Sequence, residues 1–145
     1  TVEGIDFRST VVRRFDKSLA IIPNFQFAEK AVINNSQITN RRINWIIGVE
    51  YRTTSEQLKN IKEQIENYIR ENKDFTVSDN ALLSVKIDQF AASSIDIKLI
   101  CFTKTKQYQE WMNVKDTLAL EIKNIVEKNK VSFAFPSTSI YVEKN

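Results

Sequence analysis

Ile43-Asn44-Trp45-Ile46-Ile47-Gly48-Val49-Glu50-Tyr51 is the stretch on which the fold turns. Ile43, Trp45, Ile47, Val49 and Tyr51 stand at every second position, so an extended chain presents large apolar groups on one face, the period of a half-buried strand. Thr53 follows as an N-cap, with Glu56 at the three-residue spacing of a capping box. Leu58, Ile61, Ile65, Tyr68 and Ile69 then recur at helical intervals, with Lys59, Lys62, Glu63 and Glu66 between them. After a polar connection over residues 72–79, Leu83, Val85 and Ile87 alternate in one strand, and Ile95, Ile97, Leu99 and Cys101 in another. Ala91-Ala92-Ser93-Ser94 is short enough to join these two as a hairpin. Tyr108, Trp111, Val114, Leu118, Ile122, Ile125 and Val126 mark a second, longer helix, and Val131-Ser132-Phe133-Ala134 a last strand before Pro136. The order β-α-β-β-α-β predicts a ferredoxin-like arrangement, an antiparallel sheet with both helices on one face, within an α+β chain.

Upstream, the first forty residues read as short strands separated by turns. Thr10-Val11-Val12-Arg13-Arg14-Phe15 is β-favourable, Asp16-Lys17-Ser18 is a turn, and Leu19-Ala20-Ile21-Ile22 returns as a strand that stops at Pro23. A short helical turn through Phe25 and Phe27 and a strand near Ala31-Val32-Ile33-Asn34 complete this part. So small a unit makes a poor independent core and must lean on a neighbour, on symmetry mates or on residues beyond this chain. Downstream, residues 137–142 are β-favourable but follow the completed sheet. They read either as a strand that pairs with another chain or as a flexible tail.

Composition excludes much chemistry. The 145 residues suit one domain or two small ones, and contain no histidine, so triads, Cys-His dyads and histidine-bearing zinc sites are ruled out. The two glycines, Gly4 and Gly48, are too far apart for a phosphate-binding loop. Cys101 stands alone between Ile100 and Phe102, so it forms no intrachain disulfide and reads as a buried, inert thiol. No apolar stretch approaches the roughly 20 residues that cross a bilayer. The chain begins with Thr1, with no signal-peptide pattern, and reads as a piece of something longer.

The net charge is +3. It is concentrated in residues 1–52, where Arg8, Arg13, Arg14, Lys17, Lys30, Arg41, Arg42 and Arg52 face Glu3, Asp6, Asp16, Glu29 and Glu50, while the remainder is neutral. This shift implies two units meeting near residue 40. The arginines form either a solvated surface or an anion-attracting field. The carboxylate pairs Glu63 with Glu66 and Asp74 with Asp79 lie on a polar helix face and in a polar loop, and Lys86 and Lys98 alternate outward, so no catalytic constellation assembles. For RNA binding, the relevant strand, Ile95-Asp96-Ile97-Lys98-Leu99-Ile100-Cys101-Phe102, lacks the glycine and the paired aromatics of an RNA-recognition motif. Trp45 and Trp111 read as packing residues. Nucleic acid is therefore not expected as a partner, and a basic oligomeric binding module for nucleic acid or protein stays as the alternative function.

Arg8-Ser9-Thr10-Val11-Val12-Arg13-Arg14-Phe15-Asp16, then Leu19, Ile22-Pro23-Asn24 and Phe27, resemble the cytosolic part of small-conductance mechanosensitive ion channels, the MscS family. The resemblance continues through Asn34-Asn35-Ser36, Arg41-Arg42, Ile46-Ile47-Gly48-Val49 with Tyr51, Ala92-Ser93-Ser94-Ile95, Trp111 with Asp116, and Phe133-Ala134-Phe135-Pro136. It implies a truncated Sm-like β-barrel domain over residues 1–40, a ferredoxin-like domain over 41–136, and a barrel-forming strand and tail over 137–145. It also implies a homoheptamer with a hollow vestibule on the cytoplasmic face of the inner membrane. That assembly joins pore helices absent from this soluble piece, releases ions and small osmolytes under tension, and acts as solute filter and gating support. No cofactor, metal or catalytic residue is implied.

By the same resemblance Arg41, Arg42 and Asn44 line lateral portals, where neutral Asn44 beside the arginines gives a neutral-to-positive potential that mildly favours anions. Pro23, Asn24 and Phe25 form a loop coupled to the pore helix, expected to be partly disordered without it. Ser137, Ser139, Ile140, Tyr141 and Val142 contribute to the oligomer barrel. Two positions depart from the family pattern: Lys17 stands where glycine is usual, with a type I turn still expected, and Gln37 stands where arginine often follows Asn-x-Ser.

Overall fold

A computed structural model describes residues 1–78 and 81–136. The chain forms two compact units, divided between Gln37 and Ile38.

The first unit is a three-stranded antiparallel sheet in the order β1-β2-β3, with β1 at Val2–Ile5, β2 at Ser9–Arg13 and β3 at Leu19–Pro23. The expected hairpin pairs β2 with β3 in unbroken register from Ser9↔Pro23 to Arg13↔Leu19. Its turn explains the departure at Lys17. Lys17 N–H donates to Arg14 O (3.1 Å) and Arg14 N–H to Ser18 O (2.9 Å), with Lys17 at φ 69°. This is a type I turn over Phe15 and Asp16 closed by a left-handed residue, the position where a three-residue hairpin loop favours glycine. Asp16 accepts from Ser18 Oγ (2.6 Å) and Ser18 N–H (3.0 Å), which secures the turn despite the lysine.

β1 is a strand the sequence reading did not single out. It pairs with β2 around an irregularity between Val2 and Gly4, and a two-bond fork from Arg13 to Glu3 (2.8 and 2.9 Å) ties the two strands. After β3 comes a short helix, α1, at Phe25–Glu29, so the segment expected to be partly disordered is a helical turn. The strand expected near Ala31-Val32-Ile33-Asn34 is not there. β-propensity makes a strand only where a neighbour offers a ladder, and no described strand pairs with this segment; Val32 and Ile33 are exposed.

The second unit follows the β-α-β-β-α-β order: β4 at Arg41–Val49, α2 at Ser55–Glu71, β6 at Ser84–Phe90, β7 at Ile95–Thr103, α3 at Tyr108–Lys128, and a final bridge at Phe133. β7 is central, paired along its length with β4 on one side (Arg41↔Thr103 through Val49↔Ile95) and with β6 on the other. Phe133 bridges Val49 on the outer edge of β4, which gives the ferredoxin-like spatial order with every neighbour antiparallel. The polar connection over residues 72–79 conceals a two-residue strand, β5, at Phe75–Thr76. It meets Phe102 and Thr103 on the same edge of β7 as β6 and buries Phe75.

Ile43, Ile47 and Val49 of β4, Val85 of β6, and Ile97, Leu99 and Cys101 of β7 form one wall of the core. Leu58, Ile61, Ile65 and Ile69 of α2 and Leu118, Ile122, Ile125 and Val126 of α3 form the other. Tyr51 does not join them; it lies in the turn after β4 and is exposed. The capping box sits one residue later than expected. Thr54 Oγ1 accepts from Gln57 N–H (3.2 Å) and Gln57 Oε1 from Thr54 N–H (2.9 Å), while Thr53 is buried and donates to Glu50 O (2.6 Å). α3 ends in a Schellman motif: Lys130 N–H donates to Glu127 O (2.9 Å), Val131 N–H to Val126 O (3.2 Å), and Lys130 takes φ 55°. The expected strand over residues 131–134 is reduced to that single bridge, flanked by Glu50 N–H to Ser132 O (3.2 Å) and Ala134 N–H to Gly48 O (3.0 Å). Among the described residues no helix is long and apolar enough to cross a membrane.

Candidate functional site

Arg41, Arg42 and Asn44 all lie on β4, but the pleat divides them. Arg41 shares the helix-facing side with Ile43 and Trp45. Its Nε donates to Lys106 O (2.7 Å), and its guanidinium carbon lies 5.6 Å from the Tyr108 ring centre and 5.7 Å from that of Trp111. The next turn of α3 extends the series, with Lys115 Nζ 4.5 Å from the Trp111 ring and 5.6 Å from Trp45. Tyr108 and Trp111 also meet directly, ring centres 5.6 Å apart, so Arg41 lies against that aromatic pair while Lys115 spans Trp111 and Trp45. Cation–ring contacts of this kind add on the order of 1 kcal/mol each. The expectation that both tryptophans serve packing is consistent with this stack. Lys115, four residues after Trp111 on one helix face, was the available signal for it.

Arg42 and Asn44 point to the opposite, outer face of the sheet, both exposed, opposite Phe102 and Ile100 of β7. Farther along that face Ile46, Lys98 and Lys86 form a cross-strand row. The two facing lysines are relieved by Asp88, whose Oδ1 is 3.5 Å from Lys98 Nζ. Asp96 is nearly buried beside Gly48. It accepts from Ser94 Oγ (2.6 Å) and Gln89 Nε2 (3.0 Å), and these bonds hold its carboxyl below the ordinary range. Gly48 packs closely there: a Cβ would stand 3.3 Å from Ser94 Cβ, so a larger residue would require Ser94 to give way slightly. Arg42, Lys86 and Lys98 leave the outer face net positive against Asp88 and Asp96.

In the first unit, Pro23 closes β3 opposite Ser9, Asn24 precedes α1, and Phe25 opens it with an exposed ring. Asn24 is fully engaged. Its Oδ1 accepts from Thr10 Oγ1 (2.8 Å), its Nδ2 donates to Asp6 O (2.8 Å) and Phe7 O (3.3 Å), and its N–H donates to Arg8 O (3.0 Å). It therefore binds the β1–β2 turn to the end of β3. Ser137, Ser139, Ile140, Tyr141 and Val142 lie outside the described residues.

Nothing resembling a reaction centre competes with these surfaces among the described residues. Among the described residues no group of His, Cys, Asp or Glu could hold a metal ion. Glu63 and Glu66 form ion pairs with Lys59 and Arg70 along α2. Burial pushes the Cys101 thiol up to about 12. A cleft of about 490 Å³ beside the start of α3 mixes Lys73 and Lys104 with Asp74 and Glu110, and the Thr105 hydroxyl in it donates to the exposed Glu110 carboxylate.

Comparison with known proteins agrees with this geometry unit by unit. Residues 1–37 match the family described as mechanosensitive ion channel, beta-domain, and residues 43–133 match the one described as mechanosensitive ion channel MscS, C-terminal. An uncharacterized MscS family protein of Aquifex aeolicus is 39% identical over 144 residues, covering 99% of this chain and 39% of the relative. The low conductance mechanosensitive channel YnaI of Escherichia coli is 32% identical over 146 residues, covering 99% of this chain and 41% of the relative. The crystal structure of Helicobacter pylori MscS in its closed state superposes with a TM-score of 0.80 at 26% identity, over 99% of this chain and 54% of that one. The chain thus spans about four-tenths of the length of these two curated relatives. Two units in this order, each matched by its own family profile, make this chain a member of the MscS family of mechanosensitive ion channels, carrying its beta-domain and C-terminal regions.

Proposed function

We propose that the chain is the cytosolic vestibule portion of a channel that opens under membrane tension and passes ions and small osmolytes. The single observation that carries this reading is the serial match of the two units to the beta-domain and C-terminal regions of the family. In the proposed assembly seven copies surround a hollow chamber on the cytoplasmic side of the inner membrane, joined to pore helices that this chain does not contain. The chamber filters solutes and supports gating. Residues 137–142 supply one strand each to a closing barrel, and the turn at Pro23, Asn24 and Phe25 meets the last pore helix.

The portal potential falls to Arg42 and Asn44, which are exposed, more than to Arg41, which lies against the Tyr108 and Trp111 rings. Light scattering on this chain, and on a longer one that restores the start of the first unit, tests the assembly: sevenfold mass supports it, and a monomer in both refutes it. Salt-dependent RNA binding without ring formation would instead favour the basic binding module. In patch recordings of the full-length channel, replacing Arg41 and Arg42 with Glu shifts the reversal potential toward cation preference, with Arg42→Glu alone giving most of the shift. An unchanged reversal potential removes the portal assignment.

A further inference from the structure

Among the described residues the outer edge of β4 is paired at one end only. Glu50 N–H donates to Ser132 O and Ala134 N–H donates to Gly48 O, bracketing the Val49↔Phe133 bridge. In an antiparallel ladder every second residue turns its N–H and C=O to a given edge, so residues 42, 44 and 46 present theirs on this edge as Gly48 and Glu50 do. Among the described residues nothing meets them, and the side chains of Arg42, Asn44 and Ile46 are exposed, Ile46 at 59%. The register already set by Val49↔Phe133 places residue 136 opposite Ile46, as the next residue whose N–H must point at β4. That residue is Pro136, which has no N–H to give.

We propose that Pro136 is a ladder stop: it halts the pairing begun at Val49↔Phe133 and keeps the edge of β4 at residues 42–46 open. The same register, continued, would set residue 138 opposite Asn44 and residue 140 opposite Arg42, and Thr138-Ser139-Ile140-Tyr141-Val142 has the composition of a good strand. Without the proline, then, the chain would close on itself. This inference rests on the register of β4 and stands apart from the channel reading, which concerns only where the segment goes afterwards.

Amide hydrogen exchange on the purified chain tests it. In the natural chain the Asn44 and Ile46 amides exchange fast, whereas those of Ile43 and Ile47, which face β7, are protected. In Pro136→Ala the Ile46 and Asn44 amides slow by about tenfold or more as the ladder extends. In the double variant Pro136→Ala with Thr138→Pro, Ile46 stays slow and Asn44 returns to the fast rate, because the stop has moved one repeat along. Slow exchange of Asn44 and Ile46 already in the natural chain, or no change in Pro136→Ala, overturns the proposal. Neither readout depends on ring formation, so a failure here is distinct from a failure of the sevenfold assembly.

Discussion

Replacing Lys130 offers a measurement in which the backbone alone decides the sign. Lys130 follows the last turn of α3 at φ 55°, and its N–H and that of Val131 close the Schellman motif on Glu127 and Val126. A side chain with a Cβ loses roughly 1–2 kcal/mol in the left-handed region. Glycine removes that strain but returns about 0.4–1 kcal/mol of extra freedom to the unfolded chain. Lys130→Gly also removes an ammonium near the negative end of the helix dipole, a term of about 0.3–1 kcal/mol. Lys130→Ala loses the same charge and keeps the strain, so the comparison of glycine with alanine cancels it. Glycine should be the more stable of the two by about 1 kcal/mol, which for a unit near 100 residues corresponds to roughly 4–8 °C in Tm. Trp45 and Trp111 both lie in this unit, so a fluorescence-monitored melt reads it directly. If alanine melts at or above glycine, the left-handed strain is not what limits this cap.

Ile65, fully buried between α2 and the sheet, should destabilise the second unit by about 2–5 kcal/mol when cut to alanine, read as a lower urea midpoint with an unchanged slope. Cys101 should resist thiol reagents at pH 8 in the folded chain and react fully in guanidinium, since burial holds its thiol up to about 12. Asp96 carries a pH dependence of definite sign. Its carboxyl is held down by Ser94 and Gln89, so its stabilising contribution is present above the ordinary aspartate value of about 3.9 and disappears as pH falls through the lower, folded value. Urea midpoints of the natural chain should therefore drop more steeply between about pH 4 and pH 2 than those of Asp96→Asn; parallel curves would count against this role for Asp96.

What could be read in advance followed from periodicity, and what was missed followed from contacts distant in sequence. Leu58, Ile61, Ile65 and Ile69 announce α2 because a single helical face writes its own spacing. β5 has only Phe75 and Thr76, too few for any period, and exists because the end of β7 offers a free edge there. β1 contains Gly4 and is fixed by Val12 and Val11 across the sheet. The reverse error placed a strand at residues 31–34, where favourable side chains found no ladder. At the candidate site, grouping Arg41 with Arg42 by adjacency overlooked the rule that had identified the strand: consecutive residues in β4 face opposite sides, so one guanidinium is stacked on rings and the other is free to water. The role of Asn24 was also hidden, because its partners Asp6, Phe7 and Thr10 lie 14 to 18 residues earlier.

In the first unit, among the described residues, only Thr10 is buried, while Phe7, Phe15, Ile21 and Phe25 stand exposed. Were the proposed assembly to cover those side chains, the folded population of this sheet would rise with the concentration of its partner. Maturation and association would then become a single titration for this region. A subunit lacking partners would display aromatic surface that chaperones and proteases recognise, so surplus copies would be cleared while assembled ones persist.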